Sequence, residues 1–418
     1  MRKFSIVTLT TALVLLSGCN KENDNSVDID IENASDARLI RLGGSANAAP
    51  VRSRASIESL EDMDGQMGVF CLAGRKTDVK SAEFAPGINW MTVVSSDVEH
   101  YGSTTNGRYW SNVCCEVKSE GGIYSIAPTA DQTCYKYYPT TSLYGYDFYG
   151  YHPYQTENRC IYTADSICVD MDIWGNQDVI YGQSEKIDDS YAAKLTSDSA
   201  LQKTLVASHY SARFFRKHPQ LVDDAHMKLE HKLAHLRFFV YLAPDREVET
   251  SKKYDMAKMF HVQEIKINNV ETKLRLVVAD KSGKNRNGAL YARTADRQDV
   301  YLRNRDGVLL ENATPVELTT SVVDGVEVPD TIQLGDGIML LPGKSVYYMS
   351  ATLSDKDGNV YPSETDIAIS LKNSGKKFEA GKIYNVYMQV SGVKNISITA
   401  ELADWEESGE EMDIVEFN

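Results

Sequence analysis

Short runs in which apolar and polar residues alternate dominate this chain. A period of two confines a chain to β-strands, because successive side chains of a strand point to opposite faces. In SVDIDIEN, Val27, Ile29 and Ile31 alternate with acids, and in NISITAEL, Ile396, Ile398, Ala400 and Leu402 alternate with polar residues. HVQEIKINNV and KIYNVYMQV read the same way, and YYMSATLSDKDGNVYPSETDIAISL reads as strand, Asp-Gly turn and strand. Helical periodicity over more than about ten residues is scarce, with SYAAKLTSDSALQKTL its best candidate. The expectation is a mostly β protein of antiparallel hairpins, arranged most simply as two sandwiches. No internal repeat recurs at a fixed period, which argues against a solenoid or propeller.

The N-terminus, MRKFSIVTLTTALVLLSGC, sets two basic residues before an apolar stretch from Phe4 to Leu16, then small residues and a cysteine. The apolar core is too short for a membrane span and no stop-transfer pattern follows, so residues 1–18 read as a secretory signal. The ending LSGC resembles the lipobox of bacterial lipoproteins, which makes Cys19 the lipidated first residue of the exported protein. A lipid on one cysteine anchors a chain to a bilayer without spanning it. The competing reading is an ordinary signal peptide with an incidental cysteine.

The roughly 400 residues after the signal suffice for two or three domains. With 42% hydrophobic and 25% charged residues, the chain is of the globular class. A formal charge of −15 without any Lys/Arg block argues against nucleic acid or anionic lipid as a partner. Six cysteines follow Cys19, the last being Cys168, and an even number in an exported chain permits disulfides in fifteen connectivities. The adjacent Cys114 and Cys115 would face opposite sides of a strand, and no CxxC occurs. A polar stretch near FFRKHPQLVDDAH separates a Tyr- and Cys-bearing half from a Cys-free half, dividing the chain into 55–222 and 223–418.

Motifs for catalysis are weak. His231 and His235 stand at i, i+4 with Glu230 and His226 nearby, but a zincin-type motif requires the glutamate after the first histidine. The run after them, Leu236, Phe238 and Val240, alternates like a strand. LLPGKSVYY lacks the first glycine of a phosphate loop, Ile338 standing in its place. DKDGN at Asp355 has Val360 where a calcium loop needs glycine, and a hairpin turn explains it better. Neither a nucleophile elbow nor a dinucleotide fingerprint occurs. The chain is therefore expected to be no enzyme and to need no metal or cofactor. The stretch CYKYYPTTSLYGYDFYGYHPY is read first as core and rim packing of half-buried strands, with a glycan platform on Tyr146 and Tyr149 as the alternative.

Taken in order, the lipobox, GYDFYGYHPY, HKLAHLRFFV, LLPGKSVYYMSATL, FEAGKIYNVYMQV and ISITAELADWEESGE resemble the fimbrillin family, subunits of lipoprotein-derived pili in certain Gram-negative anaerobes. The resemblance spans nearly the whole chain. It implies two tandem antiparallel β-sandwich domains of transthyretin-like, Greek-key type. It further implies an outer-membrane lipid-anchored precursor and trimming by an Arg-specific surface protease. The matching cut lies after Arg54 in SRAS, leaving Ala55 as the new N-terminus, with Arg52 as alternate. Residues 19–54 would then be a propeptide whose strand-like pieces, Val27, Ile29 and Ile31 and then Leu39, Ile40 and Leu42, plug the first sandwich.

Removing such a strand exposes an apolar groove with unpaired backbone groups, a strong acceptor for another chain's strand. Two C-terminal segments qualify as donor: Ile396, Ile398, Ala400 and Leu402, or Met412, Ile414, Val415 and Phe417. Because donor and acceptor differ, the contact would propagate as a filament with other fimbrial subunits on the cell surface. Two rival readings are a monomeric surface lipoprotein binding glycan, and a metal-dependent hydrolase on His231 and His235.

Overall fold

The computed structural model describes residues 40–46, 66–76, 111–120, 123–130, 144–163, 165–185, 210, 225–243, 257–280, 284, 286–363, 366–371, 376–390 and 396–403, with single positions between 190 and 202. It is mostly β. The strands up to residue 231 are β1 (Leu42–Ala46), β2 (Gln66–Lys76), β3 (Val113–Glu120), β4 (Ile123–Pro128), β5 (Tyr144–His152), β6 (Cys160–Tyr162), β7 (Ser166–Asp172), β8 (Ile180–Ser184) and β9 (Ala225–His231). Then come β10 (Ala234–Leu242), β11 (Phe260–Glu271), β12 (Lys273–Asp280), β13 (Leu290–Ala292), β14 (Arg297–Tyr301), β15 (Val316–Glu317), β16 (Thr320–Val323) and β17 (Val326–Pro329). The remainder are β18 (Ile332–Leu340), β19 (Val346–Asp355), β20 (Val360–Pro362), β21 (Ile367–Ser370), β22 (Lys382–Val390) and β23 (Ile396–Ala403).

Several alternating runs form the strands expected of them. HVQEIKINNV lies in β11, KIYNVYMQV in β22, and the hairpin at Asp357-Gly358 joins β19 to β20, with Gly358 at φ 83°. Asp355 supports that turn as acceptor for the N–H groups of Asp357 and Asn359 and for the Tyr361 hydroxyl. In the segment expected to be helical, Ser190, Ala192, Ala193, Ser199 and Gln202 are helical, and the Gln202 N–H donates to the Asp198 carbonyl at 2.8 Å.

The first hydrophobic core is built on a closed sheet of seven strands in the order β1-β4-β3-β2-β5-β8-β9. A four-stranded sheet, β13-β12-β7-β6, lays Ile167, Val169, Met171, Leu274, Leu276 and Val278 into the same core. The second core lies between the sheet β18-β10-β22-β23 and the sheet in which β11 and β19 pair with β14, β15, β20 and β21. The strongly alternating strands face it: Leu236, Phe238 and Val240 from one side meet Ile265, Ile267, Met349 and Leu353 from the other.

The expectation of antiparallel pairing throughout needs correction, because β1 with β9 and β10 with β22 run parallel. The first hydrophobic cluster draws on residues from both sides of 222/223: β9 belongs to the closed sheet, and β12 pairs with β7. Across that pair, Arg275 donates to both oxygens of Asp170 at 2.6 and 3.0 Å, and Arg293 reaches Asp170 and Asp172. Burial alone would raise the Asp170 carboxyl, but the hydrogen bonds and charges of Arg275 and then Arg293 outweigh it and hold the pKa below its usual range.

Tyrosines and glycines are placed by packing. Tyr146, Phe148 and Tyr151 of β5 are fully buried, and the Tyr151 hydroxyl donates to Asn112 Oδ1 at 2.7 Å. Gly68 makes room for that ring, since a Cβ there would lie 2.2 Å from Tyr151 Cε1. Strand β18 carries a bulge where its register with β10 shifts between Leu236 and Phe238, at the sequence Gly335-Asp336-Gly337. Both glycines have positive φ, and a Cβ on Gly337 would meet His235 Nε2 at 2.3 Å. His235 is buried, and its Nε2–H donates to the Asp336 carbonyl at 2.7 Å.

Replacing Gly337 by Ala combines a left-handed backbone with a direct clash, so it is expected to cost about 3 kcal/mol or more, read as the shift of the urea midpoint. His235 supplies a pH test. Burial is the main cause that lowers its pKa to about 4, against about 6.5 in the unfolded chain. The unfolded chain therefore binds the proton first, and stability falls as pH drops from about 6.5 and levels off below about 4. His235→Gln keeps a donor toward the Asp336 carbonyl and is expected to flatten that portion of the pH–stability curve.

Candidate functional site

Strand β1 is the element to which the sequence reading points, and its place is set by two neighbours. It pairs antiparallel with β4 (Leu42 opposite Ile126, Gly43 opposite Ser125, Gly44 opposite Tyr124) and parallel with β9, from Leu42 opposite Ala225 to Ala46 opposite Leu229. The Ala225 N–H donates to the Arg41 carbonyl at 2.9 Å, extending the ladder one residue upstream. Ile40 and Leu42, 7% and 2% exposed, are members of the first core. Without β1 the other six strands form an open sheet from β4 to β9, and the facing edges of those two strands lose their partner.

The local sequence of β1, Leu-Gly-Gly-Ser-Ala, has low strand propensity. The sequence reading centred the strand-like piece on Leu39, Ile40 and Leu42, whereas the described strand runs from Leu42 to Ala46. The physical reason is that the ladder uses only N–H and C=O groups, which glycine and small residues supply as well as any others. Alternation of apolar residues is the signal of a half-buried strand, and Gly43 to Ala46 carry none of it. Ile40 and Leu42 hold the side-chain contribution, about 1.5–3 kcal/mol for each fully buried aliphatic group.

The other expected residues fall into three groups. Cys19, Val27, Ile29, Ile31, Leu39, Arg52, Arg54, Ala55, Met412, Ile414, Val415 and Phe417 lie outside the described residues. Ile396, Ile398, Ala400 and Leu402 lie on β23, opposite Val390, Met388, Val386 and Tyr384 of β22, so this donor candidate is paired within its own chain. Tyr146 and Tyr149, offered as a glycan platform, are 1% and 7% exposed, and burial removes their ring faces from any external sugar.

The histidines are not arranged on a helix. His231 ends β9, where its Nδ1 contacts Asp178 Oδ2, while His235 is on β10 with Nε2 toward the Asp336 carbonyl. Among the described residues no group of three His, Cys, Asp or Glu side chains is placed to hold a metal ion. Cys160 and Cys168, on the paired strands β6 and β7, carry free thiols. Burial, then the charge of Glu157, pushes Cys160 up to about 12, and burial raises Cys168, so neither is a ready thiolate.

No protein-family model matches the chain, and the search of curated proteins returns no match. Among solved structures, a candidate cell adhesion protein from Bacteroides uniformis is similar over 88% of this chain and 98% of its own, at 13% identity and a TM-score of 0.42. A candidate cell adhesion protein from Bacteroides ovatus overlaps 89% of this chain and 99% of its own, at 12% identity and a TM-score of 0.43. The fimbrial anchor protein Mfa2 from Porphyromonas gingivalis overlaps 84% and 91%, at 8% identity and a TM-score of 0.26. The overlaps are long and the superpositions loose.

Proposed function

We propose that this chain is a structural or accessory subunit of a cell-surface fimbrium, with no catalytic role of its own. It is exported as a precursor lipidated on Cys19, cut after Arg54 or alternatively Arg52, and joined to neighbouring subunits by donor-strand exchange. Its two β units act as tandem sandwich-like modules. The observation that carries this reading is the position of β1. It is the strand that joins β4 to β9, and Arg54 follows its last residue, Ala46, by eight positions. A cut there severs the covalent tie between the closing strand and the rest of the sheet.

Once released, β1 is held, among the described residues, by its two ladders and by Ile40 and Leu42. A donor that presents more apolar side chains to the groove would outcompete it, each fully buried one being worth about 1.5–3 kcal/mol. For the segment Ile396 to Leu402 to donate, its eight-residue ladder with β22 must first open. Donation by Met412 to Phe417 breaks no part of that ladder and is the favoured route. The acceptor edges of β4 and β9 and the donor are different surfaces, so the contact is heterologous and extends end to end.

Two measurements test the reading. Treating purified precursor with an Arg-specific protease is expected to yield Ala55 as the new N-terminus and higher oligomers on sizing chromatography, while Arg52→Lys/Arg54→Lys stays uncut and monomeric. A cut protein that remains monomeric at high concentration, alone and with a pilin partner, counts against assembly. In the uncut precursor, Leu42→Ala is expected to destabilise the first sheet by about 2–5 kcal/mol, with faster amide exchange concentrated in β4 and β9. Unchanged exchange there would mean that β1 is not a structural closure.

A further inference from the structure

A second surface, unrelated to the closing strand, combines exposed aromatic rings with a row of hydrogen-bonding groups. On the outward face of the sheet around β11, Lys266 lies opposite Tyr301 of β14 and Ser350 of β19, and Asn268 lies opposite Tyr348 of β19. Directly opposed residues of antiparallel strands share a face, so the two tyrosines and the polar row look the same way. Tyr301 is 37% and Tyr348 50% exposed, while Ile265 and Ile267, pointing the other way, are fully buried. Two strand spacings across and two residues along place the tyrosine Cα atoms about 12 Å apart on the diagonal. One sugar ring cannot cover both, whereas a short oligosaccharide can.

The groups between the rings are held in place by one another. Lys266 Nζ donates to Asp299 Oδ2 at 2.7 Å and sits 5.8 Å from the Tyr301 ring centroid. Asn268 Nδ2 donates to Asp366 Oδ1 at 2.7 Å and to Ser350 Oγ at 2.6 Å, while its Oδ1 is buried beneath the face. A carboxylate offers about four acceptor sites, so Asp299 and Asp366 retain capacity for hydroxyl donors. Glu264 joins them on the same row, giving three carboxylates to one ammonium. That balance repels acidic sugars and suits uncharged, hydroxyl-rich ones. Aromatic faces carry negative quadrupole charge and pack against the C–H faces of pyranose rings.

We propose that this face, framed by Tyr301 and Tyr348, binds a neutral oligosaccharide of two or more rings. The assignment stands apart from strand exchange, since β11, β14 and β19 belong to the second core and contain no part of the closing strand or the donor segments.

The test is titration of the full precursor, uncut and Arg-protease-cut, with gluco-, manno- and galacto-tetraoses and with sialyllactose as the acidic comparison, followed by calorimetry and by NMR. At least one neutral tetraose is expected to bind, to perturb Lys266, Asn268, Tyr301 and Tyr348, and to bind cut and uncut protein alike. Tyr301→Ala and Tyr348→Ala are each expected to weaken binding roughly tenfold, and Tyr348→Phe, which keeps the ring, about threefold or less. Melting temperatures of the variants show whether they fold, and Tyr348→Gln replaces the alanine variant if it does not. No binding of any neutral tetraose at about 10 mM, binding undiminished in the double alanine variant, or preference for sialyllactose overturns the proposal.

Discussion

The backbone ladder that seats β1 between β4 and β9 is the interaction on which the first half of the molecule depends. A sheet whose edges are joined has no unpaired rim, and here the described contribution of the joining piece is its N–H and C=O groups and two aliphatic anchors, Ile40 and Leu42. Because β1 is antiparallel to β4 and parallel to β9, those two strands run in opposite senses. A replacement strand entering in either direction would meet one antiparallel and one parallel neighbour. The backbone ladder by itself therefore does not single out one direction for the strand that closes the sheet.

Other contacts of the first core do not involve β1. Strand β12 carries Leu274, Leu276 and Val278 into the first core directly after β11 has crossed the second. The loop after β7 adds further ties, with the Ile173 N–H donating to the Thr272 carbonyl, the Met339 N–H to the Gly175 carbonyl and the Lys232 N–H to the Val179 carbonyl. Arg275 and Arg293 converge on Asp170 across β12 and β7. Strand β12 and the loop after β7 therefore link the first core to strands that follow residue 231.

Much of this was legible in the residues. Period-two alternation located β11, β19 and β22 because each has one buried face, the same pattern marked out β23, and the Asp-Gly turn placed the β19–β20 hairpin. The closing strand was legible only in part. Ile40 and Leu42 stand out as apolar, but Gly43 to Ala46 carry the ladder with groups that every residue possesses. The tyrosine cluster left two readings open, packing and a glycan platform, and burial bears out the packing. Composition shows that a ring is present without showing its surroundings, and Tyr146, Phe148, Tyr149 and Tyr151 of β5 all lie buried in the first core.

By itself the sequence determined the class of structure: period-two patterning, scarce helical periodicity and an excess of acids follow from residue identity and spacing, which are local. The tertiary structure decided which strands are neighbours, that two pairs are parallel, that β12 returns to the first core and that a glycine-rich segment closes a sheet. Those outcomes depend on backbone groups and on contacts between residues far apart in the chain. Backbone groups are the same for nearly every residue type, so their pairing leaves no mark in the sequence.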